Sequence, residues 1–171
     1  MRLFYSCLMI ILSCFPLEAS SPLQFVGLFS NMNRSSDHQY GEDVYLWKDG
    51  EGLCGYIYYS LGGALGDETM ARLEKLQFEP KTGKLSFEAR NPVYDEKGSV
   101  IRNLFVFDGQ LRSDSIEGTL RCQGVDGNAC LPDKKITWKK LRVEMGNFQP
   151  IYKDAWEKKV VLDLEERGAR W

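Results

Sequence analysis

Apolar and polar residues alternate along most of the chain in short runs divided by turn formers, the period-two pattern of half-buried strands. Residues 23–29 (LQFVGLF) form the first run, interrupted by Gly27, and the polar stretch 31–41 (NMNRSSDHQYG) reads as a loop. Residues 44–48 (VYLWK) make a second strand, joined by Asp49-Gly50-Glu51-Gly52 to a third at 53–61 (LCGYIYYSL). An Asp-Gly pair readily takes the positive φ that a tight hairpin needs. In the third strand Leu53, Ile57 and Leu61 fall on one face, and Cys54, Tyr56 and Tyr58 on the other. Residues 62–70 (GGALGDETM) break the alternation and leave room for one helical turn.

The alternation resumes at 73–78 and 85–90, linked by Glu79-Pro80-Lys81-Thr82-Gly83-Lys84, which is strong hairpin chemistry. After a loop at 91–98, residues 100–111 (VIRNLFVFDGQL) form a longer strand with a bulge expected at Asp108-Gly109. Residues 116–122 and 135–141 complete the series, with Ile136 and Trp138 on one face of the last strand. The tail changes period. Asp154-Ala155-Trp156-Glu157 has capping-box spacing, Trp156, Val160 and Leu164 follow at helical spacing, and Gly168 can end the helix. Its polar face mixes both signs, which fits a helix packed on protein better than one lying on a membrane.

Seven or eight hairpin-linked strands must hide their edges by closing. The expected fold is therefore mainly β: an antiparallel up-and-down meander closing into a small barrel, with a C-terminal α-helix. The domain division is 1–19 signal peptide, 20–145 barrel and 146–171 helical segment packed on the barrel. The hairpin order, the terminal helix and Gly27-Leu28-Phe29 in the first strand resemble the calycin-like barrels, the group that includes lipocalins and avidins. Here Gly-x-Phe stands in place of the lipocalin Gly-x-Trp, and Asn31 sits where avidins carry an Asn. The resemblance implies a fold that often holds small ligands and transfers no binding residue.

The chain of 171 residues is sized for one domain, and 43% hydrophobic content is enough for a core. With 24 acids against 22 bases the net charge is -2, which argues against a nucleic-acid partner. The single histidine, His38, rules out a multi-histidine metal site, and no cofactor is expected. Arg2 followed by the uncharged run 3–17 reads as a secretory signal peptide cut after Ala19. That run is shorter than the roughly 20 residues a membrane-spanning helix needs, so the mature chain carries no transmembrane segment. A rival reading takes Ile11-Leu12-Ser13-Cys14 as a lipobox with Cys14 lipidated. The expected location is secreted or periplasmic.

Cleavage leaves Cys54, Cys122 and Cys130. A Cys122–Cys130 disulfide is expected across a turn-rich segment, worth about 2.5 kcal/mol by loop closure, with Cys54 reduced. Ser35-Ser36-Asp37-His38 and a Cys54–His38 pair offer little for nucleophilic catalysis, and no phosphate loop appears. Asp126-Gly127-Asn128 has no acidic continuation for calcium.

The aromatic residues carry the functional expectation. It is an exported, non-catalytic barrel binding an unknown small molecule in an aromatic-lined cavity through Tyr45, Trp47, Tyr56, Tyr58 and Trp138. The alternatives are an envelope or extracellular interaction module, such as an enzyme inhibitor acting through loops on a protein partner, and a hydrolase using carboxylates. The facing of Tyr56 and Tyr58 against Leu53 and Ile57 discriminates between cavity and packed core.

Overall fold

The computed structural model describes residues 23–34, 38–50, 52–61, 68–94, 100–124 and 127–142. The signal peptide and the C-terminal helix of the sequence reading lie outside the described residues. The strands are β1 (Gln24–Ser30), β2 (Asn33–Arg34), β3 (Gln39–Asp49), β4 (Gly52–Leu61), β5 (Glu68–Glu79), β6 (Lys84–Tyr94), β7 (Val100–Leu111), β8 (Ser115–Gln123) and β9 (Ala129–Leu141). Every pairing is antiparallel. β3 to β9 follow one another as neighbours, and β1 pairs with both β3 and β9. The sheet thus closes into an eight-stranded barrel, with the two-residue β2 added beside β3.

The hairpins read from sequence fall where expected. Gly50 takes φ 59° between β3 and β4, and Gly83 takes φ 74° between β5 and β6. The Gly83 amide donates to the Glu79 carbonyl at 2.8 Å, and the Leu111 amide donates to the Gly83 carbonyl at 2.7 Å. These two turns and the β7–β8 turn close one end of the barrel, the turn end. The ends of β1, β4, β6 and β8 and the starts of β3, β5, β7 and β9 lie at the opposite, loop end.

At the loop end the strands run further than the alternation of the sequence indicates. β3 begins at Gln39 rather than 44, β5 at Glu68, β6 continues to Tyr94, and β9 begins at Ala129. The physical reason is shared: interior-facing positions there are Glu42, Thr69, Asn91 and Lys134, so polar residues occupy the inner face and mask the pattern. The bulge expected at Asp108-Gly109 is absent, since β7 keeps regular register with both neighbours. Irregularities lie instead at Phe25/Gly27, at Glu74/Gln77 with Lys75 at φ 46°, and near Cys122. Gly109 lies opposite Gly118, and a Cβ on Gly109 would come within 2.1 Å of the Glu117 carbonyl oxygen and 2.5 Å of the Phe107 ring. Both glycines make room for that ring against the wall.

The interior is packed. Val44, Leu46, Ile57, Leu73, Leu85, Ile116 and Ile136 join Phe87, Phe107 and Trp138 in one buried cluster. The Phe87 and Phe107 centroids are 5.0 Å apart, as are those of Phe107 and Trp138. A second cluster, Leu23 and Trp47 with Phe25, Tyr45, Cys54 and Tyr56, uses the alternate positions of β3 and β4 and so lies on the outer wall. Outward positions of β6 to β9 are different in kind: Arg90, Asp108, Gln110, Glu117, Lys135 and Lys139 are exposed.

Candidate functional site

At the loop end the inner face of the barrel carries a belt of polar side chains. Glu42 of β3 lies opposite Tyr59 of β4, and Tyr59 lies opposite Thr69 of β5. The Thr69 hydroxyl donates to the Asn91 Oδ1 of β6 at 2.5 Å. Asn91 is 2% exposed, and its Nδ2 finds no hydrogen-bond partner among the described residues. A buried donor left unpaired costs roughly 1–3 kcal/mol, so this belt is not arranged for stability alone.

Beside it opens a cleft of about 480 Å³. Glu42, Tyr59, Phe105, Leu120 and Cys122 line its inner part, and Arg121, Pro132, Asp133, Lys134 and Lys135 its rim. The Tyr59 and Phe105 rings meet across the lumen with centroids 5.3 Å apart, which sets one wall. Glu42 is 3% exposed. Its Oε2 accepts a long hydrogen bond from Trp138 Nε1 at 3.4 Å, and its Oε1 lies 3.6 Å from Lys134 Nζ. Lys134 is largely exposed, so the pair joins a buried carboxylate to a solvent-facing ammonium. Burial, and then the Glu42 charge, raise the Tyr59 pKa above the ordinary phenol value, which keeps its hydroxyl protonated. At the rim Arg121 is paired with Asp108. The cleft therefore offers an apolar wall, a neutral hydroxyl and a carboxylate at the floor.

The site residues expected from sequence fall in two places. Tyr45, Trp47 and Tyr56 stack together, with the Tyr45 and Tyr56 centroids 4.5 Å apart, on the outer wall. Tyr58 shares their strand face, whereas Leu53 and Ile57 point inward. Trp138 is interior and fully buried below the cleft, where it contributes its Nε1–H to Glu42. These five residues do not line one cavity. Glu42, Tyr59 and Phe105 take that place. Glu42 was legible in principle, being on the same face as Val44 and Leu46.

Cys54 is a free thiol and Cys122 is held in a disulfide; the Cys130 side chain lies outside those described. Cys54 pairs with Trp47, whereas His38 precedes β3. Nine residues of strand place them roughly 30 Å apart, too far for a catalytic pair. Among the described residues no cluster of His, Cys, Asp and Glu could hold a metal, and no helix is long and apolar enough to cross a membrane.

An eight-stranded, closed, antiparallel barrel of this kind is consistent, at the level of fold, with the calycin-like group. Comparison of the chain with known protein families, curated proteins and solved structures returns no match.

Proposed function

We propose that this protein is an exported, non-catalytic binding barrel that takes a small ligand in the loop-end cleft. One observation carries the reading: the Glu42 carboxylate is buried at the floor of a cleft of about 480 Å³ whose walls are Tyr59, Phe105 and Leu120. That volume falls in the range of small-molecule sites, and a mostly apolar wall with few convergent polar groups is their usual chemistry. The ligand that fits has an apolar body against the two rings and a donating or cationic group toward Glu42, displacing Lys134. The reading includes export after cleavage at Ala19 and a Cys122–Cys130 bridge, supported by Cys130 being adjacent in sequence to Leu131, the backbone partner of Cys122.

Native mass spectrometry of the protein purified from its own source tests it. The wild type should carry a retained small mass that Glu42→Gln loses, while the variant folds with a stability change of about 1 kcal/mol. No retained mass in the wild type, or equal retention by the variant, would remove the ligand reading. A retained macromolecule would favour the protein-interaction reading, which draws support from the filled interior around Phe87, Phe107 and Trp138.

A further inference from the structure

The two ends of the polar belt are incomplete in opposite senses. At one end the Thr69 hydroxyl donates to Asn91 Oδ1 at 2.5 Å, which fixes the amide with its nitrogen turned away from Thr69. Asn91 is 2% exposed, and its Nδ2 has no hydrogen-bond partner among the described residues, so two N–H donors go unused. Alternation along β6 sets Asn91 on the face of Phe87 and Ala89, both in the core, so this donor faces the lumen. Asn103 of β7 lies opposite Asn91 and shares the inner face with Phe105. At the other end Glu42 is buried, yet its donors stand at 3.4 Å (Trp138 Nε1) and 3.6 Å (Lys134 Nζ). Both are longer than the roughly 2.9 Å of a good N–H···O bond, and a carboxylate accepts several donors. Tyr59 stands between the two ends, opposite Glu42 on one side and Thr69 on the other.

We propose that the ligand of this barrel is an amino-carbonyl compound, whose ammonium binds Glu42 in place of Lys134 and whose neutral carbonyl oxygen accepts from Asn91 Nδ2. The inference rests on the ligand reading of the loop-end cleft and adds the chemistry of both ends of that ligand. An ammonium suits Glu42 because Lys134 already brings one beside it from the rim, at a distance a freely placed group can shorten. A neutral acceptor suits Asn91 because its inner-face neighbours Thr69, Ala71, Ala89 and Asn103 carry no cation. An anion there would be desolvated without a counter-ion, whereas an amide oxygen meets the unused N–H donors without that cost. Arg72 and Arg90 occupy alternate positions of β5 and β6 and so lie outside. Asn91 does not line the cleft as it stands. The half-buried Tyr59 ring, packed on Phe105, lies between and turns aside to admit the carbonyl end. The span from ammonium to carbonyl therefore decides which ligand reaches both groups.

Fluorescence titration of the purified protein with two probe series tests this. One series is the N-benzyl amides of ω-amino acids with one to four methylenes between ammonium and carbonyl. The other is phenylalkylamines of equal length, in which methylenes replace the amide group. At one chain length the amide should bind the wild type about tenfold or more tighter than its amine. Thr69→Val combined with Asn91→Leu should erase that ratio and leave the amine's affinity within about twofold. Asn91→Asp, an isosteric exchange of donor for acceptor, should erase it too. Glu42→Gln should weaken both series by about tenfold or more. Equal affinities at every length, or an amide advantage that survives both Asn91 variants, would overturn the inference and leave Nδ2 to an ordered water. Amines that still bind and still need Glu42 would in that case keep the ligand reading of the cleft. Failure of both series to bind the wild type would overturn the inference as well, and the retained mass in native mass spectrometry would decide the broader reading by itself.

Discussion

The two ends of the barrel are built from the same eight strands and differ in what faces the lumen. At the turn end Leu46, Leu53, Leu73, Leu85 and Ile116 meet beneath tight hairpins, and Trp138 closes the packing. At the loop end the same strands present Glu42, Tyr59, Thr69 and Asn91, and a cleft opens beside them. The same strands pair at both ends, with register shifts only at Phe25/Gly27, Glu74/Gln77 and around Cys122. Closure of the sheet is therefore independent of a continuous apolar lumen, and the turn end supplies packing energy while the loop end carries polar groups on its inner face.

The largest test of this contrast is Trp138→Ala. It removes a fully buried ring in contact with Phe87 and Phe107, and urea unfolding should show a loss of about 3–5 kcal/mol. At the other end, Thr69→Val combined with Asn91→Leu replaces both members of a half-buried hydrogen bond by apolar groups of similar shape. Its stability should stay within about 1 kcal/mol of wild type, because neither partner is left orphaned. A loss above about 2 kcal/mol would break the comparison, since the polar belt would then be holding the fold.

The smallest effect is confined to alkaline pH. With the Tyr59 pKa raised in the folded state, the folded protein holds this proton more tightly than the unfolded chain. Stability from this group is full below about pH 10 and falls as pH rises through the folded value. Tyr59→Phe should flatten that part of the decline in alkaline unfolding curves and leave the curve near neutrality unchanged in slope. An unchanged alkaline slope would show that Glu42 and burial do not act on this hydroxyl as described.

How far the sequence could be read divides along the same line. The Asp49-Gly50 and Pro80–Gly83 turns marked their hairpins because the required φ values favour those residues, and the meander followed. Strand ends at the loop end were hidden because Glu42, Asn91 and Lys134 sit on the inner face where alternation calls for apolar residues. The aromatic residues chosen from sequence do not share one face, for a related reason. Tyr56 and Tyr58 look like cavity residues by composition, yet Leu53 and Ile57 share the inner face with Tyr59, and parity along β4 already favoured that hydroxyl. The outer position of Tyr45 and Trp47 has no local signal, because an aromatic packed outside a barrel reads the same as one packed within.

The join between β1 and β9 consists of three residue pairs, Leu28 with Leu141, Phe29 with Lys140 and Ser30 with Lys139. It links the beginning of the described fold to its end, so the ring has no complete form until nearly the whole chain has emerged. Before that, β1 and β8 each present an open strand edge, a template for pairing with other chains. Contacts of such long sequence separation also make for slow folding. A chain assembled this way meets its greatest risk of aggregation in the interval before residues 139–141 are available to pair with β1.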